Sequence, residues 1–389
     1  AASFMTGWVG RKCTGPERCS SVSPSTGPEP PVGLAMRAGD RGGHACGRIR
    51  HSGQTKTSFL VTVDVETRSQ GDPAADVMGV LPGATENLGI ERIMELLEAN
   101  HARGTFFLNA YEVAAHGEET MAGAARLIHA RGHDLELHTH PRPMYCHYGM
   151  SKAPLDKQIE ILEKGMLLIE GWTGKRVVAH RAGAFAANVD TLRAAETVGL
   201  RADCSLSPGS RVDVPLVDEI GPANRVRRVG GIWEIPVTWF YQLRLGPWRS
   251  RRILDIEGCS LAEIKCVTRW AIRHRMPTVC ILMHSFSFSR NGRPNLRVIR
   301  RFSALLEWLR GQAEIEVQTV EWACERLAVE AMPEAGDEAT ATGSWLTWRR
   351  ALGAWNDGWK NVLVSAAGFC LLGVVVLAIV VLSRMAMQR

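Results

Sequence analysis

At 389 residues, with 46% apolar and 22% charged residues, the chain has globular composition and ample material for a core. The net charge of +6 is spread along it, and no zinc-finger spacing or basic–aromatic interleaving marks a nucleic-acid binder. Ten cysteines are scattered with no C-x-x-C pair, which reads as reduced thiols in a reducing compartment. The short basic clusters at 225–228 and 249–252 read as solvated surface.

Residues 1–57 are rich in Gly, Pro, Ser and Arg with no apolar period, so they are expected to stay disordered. They hold no apolar core of a signal peptide. Order is expected from residue 58, where a β-branched strand runs into Asp64 and Glu66 on one face. A loop over 67–85 follows. Asn87 then caps a helix whose stripe is Ile90, Ile93, Met94, Leu96 and Leu97. Residues 105–108 form a short buried strand, and a helix over 118–130 leads through Gly132 into a strand at 134–140. In that strand Glu136, His138 and His140 share one face, while Leu135, Leu137 and Thr139 share the other. Two imidazoles two residues apart leave the backbone on the same side and can converge on one ion. Pro141 stops the ladder and places them at a strand end.

The alternation continues. The pattern predicts a helix over 154–171, a strand over 177–181, a helix over 189–198 capped by Asn188, and strands at 200–205 and 232–237. A helix over 261–274, a strand over 278–284, a helix over 296–311, a strand over 315–319 and a helix over 320–331 complete the domain. Repeated β–α units imply a parallel sheet, here a distorted or incomplete (β/α) barrel of about seven parallel strands spanning 58–332. A linker with interfacial tryptophans (333–360) then precedes a charge-free run. Residues 362–382 would span about 31 Å as a helix, so a transmembrane helix over 361–383 is expected; without a signal peptide before it, the folded domain is expected on the cytosolic side.

In β/α domains functional residues gather at strand C-termini. Four predicted strands finish in reactive residues: Asp64/Glu66, His138/His140, His180/Arg181 and His284. Their order, with strand-Asp-x-Glu, Gly104-Thr105-Phe106-Phe107, Gly132-His133-Asp134, His138-Thr139-His140-Pro141, Arg181-Ala182-Gly183 and Leu282-Met283-His284, resembles the polysaccharide deacetylase (NodB-homology) family of carbohydrate esterases. The resemblance covers roughly residues 58–327. It implies a distorted barrel, a divalent metal (zinc by preference), and hydrolytic removal of an N-acetyl group from an amino-sugar glycan; the expected membrane anchor adds lipid-linked glycans to the candidate substrates. By position it makes Asp64 the base, Arg181 its orienting partner, and His284 the acid that protonates the departing amine. The metal ligands would be Glu66, His138 and His140. Two departures accompany it. The family's adjacent Asp-Asp is Asp64-Val65-Glu66 here, and its second histidine, four places after the first, is Arg142, so Glu66 and His140 must substitute from the same strand faces.

Asp203 is a candidate partner for Arg181 or His284. Glu136 reads as an acceptor for a ligand histidine or as a solvated strand residue, and His180 and Glu234 read as structural. The competing readings are a hydrolase of another non-peptide C–N bond, and an inactive glycan-binding membrane protein.

Overall fold

The computed structural model describes residues 56–328, apart from 69–70, 146–148, 211–213 and 246–247. The expected N-terminal disordered segment, apart from its last two residues, the linker over 333–360 and the transmembrane helix over 361–383 all lie outside the described residues. Among the described residues no helix is long and apolar enough to cross a membrane.

Among the described residues thirteen strands occur in chain order: β1 Thr57–Val65, β2 Thr105–Asn109, β3 Asp134–Thr139, β4 Ala179–Ala182, β5 Ala202–Asp203, β6 Arg227–Val229, β7 Ile232–Glu234, β8 Trp239–Leu245, β9 Trp248–Ile253, β10 Thr278–His284, β11 Ser289–Arg290, β12 Arg293–Pro294 and β13 Ile315–Gln318. The main sheet runs β10-β1-β2-β3-β4-β5-β7-β6, with β13 pairing β1 beside β2. Every pair in it is parallel except the β6–β7 hairpin. Eight parallel strands are therefore present among the described residues, one for each strand that the sequence pattern predicts, against a barrel expected to hold about seven. β13 fits beside β2 because it pairs Thr57 to Leu60 of β1, whereas β2 pairs Thr62 to Val65 of the same edge. All nine residues of β1 are buried, as expected of a central parallel strand covered on both faces.

The sheet is curled. Arg181 on β4 reaches Cys280 on β10, with Nη2 at 3.7 Å from Sγ. Four strand spacings separate those strands, about 19 Å in a flat sheet, which an arginine cannot span. The outer edge of β10 is met by irregular chain rather than by a further parallel strand. Thr238 N–H donates to the Cys280 carbonyl, and Ile256 N–H to that of Leu282. The result matches the distorted barrel expected from the sequence.

Amphipathic helices cover the outside, among them Glu118–Ala130, Leu155–Thr173, Val189–Thr197, Leu261–Arg273 and Leu296–Arg310. Asn188 forms a full capping box with Thr191, as its sequence position predicts, and Ser260 does so with Glu263. Asn87 does not cap a helix. The helix begins later, at Ile90–Ala99 behind Gly89, because Leu88 N–H and Ile90 N–H are held by the carbonyls of Gly79 and Val77. The 225–228 cluster is also not plain surface: Arg225 is buried and donates to the His274 carbonyl at 2.8 Å.

Candidate active site

Parallel register sets the site. Asp64 lies level with His284 on one side and Phe107 on the other; His138 lies level with Asn109 and Arg181. The strand alternation then turns Asp64, Glu66, His138, His140, Arg181 and His284 toward one mouth at the C-terminal end of the sheet. Ser285 fixes the end of β1, its N–H donating to the Asp64 carbonyl at 2.9 Å and its hydroxyl to the Glu66 carbonyl at 3.1 Å.

Glu66 Oε2 lies 2.8 Å from His140 Nε2 and 3.4 Å from His138 Nε2. Around a tetrahedral zinc, ligand atoms on bonds of about 2.0–2.1 Å are separated by about 3.3 Å, so the three donors stand near a coordination shell's spacing. His138 is 1% exposed, yet neither of its ring nitrogens has a hydrogen-bond partner among the described residues. A buried polar group left unpartnered is costly, and a cation between these donors removes the cost. One carboxylate with two imidazoles is also a donor set zinc accepts. The residues fit the metal that the sequence resemblance implies. Burial pushes the Glu66 carboxyl up, but the neighbouring His140 and His138 outweigh it and hold the group well below its ordinary range.

Two features hold His140 in place of a more distant histidine. Its backbone N–H donates to Asn109 Oδ1 at 3.3 Å, and Asn109 Nδ2 donates to Glu112 Oε1, which also accepts Thr67 N–H. One buried pair thus braces the chain just after Glu66 and the chain at His140. On the other side, a Cβ added at Gly183 would lie 2.4 Å from the His140 ring. Gly183→Ala is therefore expected to push the imidazole out of register and to weaken zinc binding about 10- to 100-fold, the range for losing support of a ligand. Chelator competition on the purified variant measures it; unchanged affinity would show that His140 is not a ligand.

Arg181 is wholly buried and is the largest fully buried side chain among the described residues. Its Nη1 donates to Asp64 Oδ1 at 2.7 Å and to Thr62 Oγ1 at 3.0 Å, and its Nε to the Cys204 carbonyl at 3.1 Å. The guanidinium lies over the Phe107 ring at 4.3 Å. The pairing leaves the second oxygen of Asp64 without the arginine. His284 Nε2 is 3.8 Å from Glu66 Oε1, and its Nδ1 is 3.0 Å from Glu257 Oε1. Burial lowers the His284 pKa, but Glu257, with Glu66 and Asp64, outweighs burial and raises it to about 9. Phe286 stacks on the His284 ring at 4.8 Å and 11°.

The remaining predicted residues fall elsewhere. Asp203 serves neither Arg181 nor His284. Its Oδ2 lies 2.6 Å from His180 Nδ1, whose Nε2 is 2.9 Å from Thr139 Oγ1. Both sit on the opposite strand face, fully buried, so His180 is structural as expected. Glu234 is fully buried too, accepting Leu206 N–H. Glu136 is neither solvated nor bound to a ligand histidine. It is fully buried and accepts the N–H groups of Val178 and Ala179 and the Lys175 ammonium at 2.7 Å. That ammonium also neutralises Asp134 and approaches Glu321, so this second carboxylate group is ion-paired and offers no open metal site. Asn109, which sequence reading passed over, obeys the rule that found the others: it is the polar residue ending a buried strand. Glu257 lies in an irregular segment before Leu261–Arg273, and no sequence pattern marks it.

Residues 83–202 match the profile of a family described as polysaccharide deacetylase. That stretch holds His138, His140 and Arg181 but neither Asp64, Glu66 nor His284. A curated peptidoglycan deacetylase-like protein from Gibberella zeae is 30% identical over 122 residues, 31% of this chain. The match spans only about a third of that relative, 33% of its length. Among solved structures, a Mycobacterium smegmatis protein with a polysaccharide deacetylase designation has 20% identity and a TM-score of 0.50, covering 72% of this chain and 96% of its own. A CE4-family pseudoenzyme from Bacillus anthracis has 14% identity and a TM-score of 0.39, covering 69% of this chain and 66% of its own. At these identities the structural likeness speaks to fold alone.

Proposed function

Because the chain is a divergent member of the polysaccharide deacetylase (NodB-homology) family, we propose that it is a metal-dependent hydrolase removing an N-acetyl group from an amino-sugar glycan, lipid-linked glycans included. The observation that supports this most is the meeting of Glu66, His138 and His140 around a buried imidazole with no other partner. A divalent cation held by those three, zinc by preference, supplies Lewis acidity, polarising the amide carbonyl and lowering the pKa of water towards ~7. Asp64, held by Arg181 through one oxygen, uses the other to take the proton of the attacking water. The C–N bond then breaks, and the nitrogen leaves as an amine only if it gains a proton. His284, level with Asp64 on the neighbouring strand, donates it, and Glu257 holds the ring by Nδ1 so that Nε2 faces the substrate. As part of the same proposal, the charge-free run at 362–382 anchors the chain as a single-pass protein, with the catalytic domain on the cytosolic side. Protease protection in sealed vesicles tests that side.

Metal analysis of the full chain, paired with acetate release from N-acetylated chitooligosaccharides, tests the chemistry. About one divalent ion per chain is expected, with acetate release stopped by a chelator and restored by zinc; His138→Ala should lose both. Acetate release indifferent to chelation overturns the reading.

The acid role carries its own sign. An acid works while protonated, so activity is lost as pH rises through the His284 pKa of about 9. Glu257→Gln removes the main group raising that pKa, while burial still lowers it. The alkaline limb of the pH–kcat/KM profile is therefore expected to move to lower pH, toward the ordinary histidine range. A limb that stays where it was means His284 is not the titrating acid.

A further inference from the structure

The chain that follows His284 carries a feature the deacetylation chemistry does not use. Residues 289–301 contain five arginines and no carboxylate. Two of them, Arg290 and Arg293, stand directly opposite each other across the antiparallel β11–β12 pair. The connecting Asn291 and Gly292 have φ of 52° and 69°, the left-handed pair that a two-residue type I′ turn requires. This tight ribbon therefore holds both arginine stems on one face, with Cβ atoms about 5 Å apart. Like charges placed opposite each other destabilise a strand pair. Nothing local offsets the repulsion: both side chains are exposed, and neither has an acidic partner among the described residues.

The base of the hairpin is tied to the site. Arg68 Nη2 donates to the Ser289 carbonyl at 3.0 Å and to its hydroxyl at 3.1 Å, and the guanidinium lies over Phe286 at 4.2 Å. Phe286 in turn stacks on His284. A paired positive charge kept against its own repulsion, on a short rigid ribbon joined to the acid's loop, suits an oxyanion presented from outside the chain. Two guanidinium forks match a carboxylate or a phosphate better than they match each other.

We propose that Arg290 and Arg293 form an anion subsite at the rim of the active site, taking a carboxylate- or phosphate-bearing sugar of the glycan near the residue being deacetylated. This rests on the deacetylase reading and names the substrate class it favours: an acidic glycan. The geometry favours glycan over lipid, because the pair is fixed to the loop that carries His284 and Phe286.

The test compares the full chain with its R290S/R293S variant on three hexasaccharides: neutral N-acetylchitohexaose, an alternating N-acetylglucosamine–glucuronate hexamer, and a 6-phosphorylated N-acetylglucosamine hexamer. The ratio of kcat/KM for an anionic over the neutral glycan is expected to fall about fivefold in the variant, the size of one exposed ion pair. The wild-type preference should fade as salt rises. A fall for either anionic glycan supports the subsite and says which oxyanion it takes. A ratio unchanged for both overturns it, as does an unchanged ratio with lost binding to phosphatidylglycerol vesicles, which would make the hairpin a lipid contact. If the wild type releases acetate from none of the glycans, the deacetylase reading fails. Equilibrium binding of the same hexamers then decides the subsite separately, and equal affinities for wild type and variant overturn it.

Discussion

Asp64→Asn is expected to lower kcat about 10²- to 10⁴-fold, the range for losing a positioned base, while metal content stays close to wild type; the melting temperature should fall, because the buried Arg181 guanidinium loses its counter-charge. Asn retains an oxygen where Oδ1 accepts from Arg181 Nη1 at 2.7 Å, so the guanidinium stays hydrogen-bonded and the volume is unchanged. The three proposed ligand donors belong to Glu66, His138 and His140 and are untouched. What disappears is the second carboxylate oxygen, the group proposed to take the proton of water. Steady-state kinetics with metal analysis on the same preparation checks this. A kcat within tenfold of wild type would place the base elsewhere. Parallel loss of metal would mean instead that Asp64 is a ligand.

The second large effect falls on stability. Arg181→Ala is expected to destabilise the protein by about 3–5 kcal/mol, the cost of removing one partner from a buried pair. Arg181 is wholly buried and Asp64 nearly so, so the substitution leaves an ionised carboxylate in the interior. It also opens a cavity among Thr62, Phe107, Cys204 and Cys280, all of which the side chain now touches. A double-mutant cycle separates the two costs. In an Asp64→Asn background the uncompensated charge is gone, and Arg181→Ala should cost clearly less, mainly its cavity. Urea unfolding of the four proteins reads it. An equal cost in both backgrounds would reduce Arg181 to packing.

Much of the candidate site was legible because strand alternation is a local property. Asp64 and Glu66, and likewise His138 and His140, share a face through backbone geometry alone. The resemblance to known deacetylases rests on those same short motifs. The substitution of His140 for a histidine at position 142 was foreseeable from the face it occupies, and the 2.8 Å approach of His140 to Glu66 agrees with it. Other assignments failed for equally definite reasons. Asp203 ends β5, as Arg181 nearly ends β4, yet register pairs it with His180, whose side chain leaves the opposite face. Glu136 shares a face with the ligand histidines but lies deeper, where Lys175 and two backbone N–H groups take up its charge.

By itself, then, the order of residues determined the β–α alternation, the sign and type of the groups at each strand end, and the faces they occupy. All of these follow from periods of a few residues in the chain. Only tertiary structure decided that Arg181 crosses the curled sheet to Asp64, that Glu257 supports His284, and that Gly183 leaves room for the His140 ring. Those depend on register between distant strands and on the curvature of the sheet, which arise from strand twist and from packing the covering helices against its outer face, and have no local signature in the sequence.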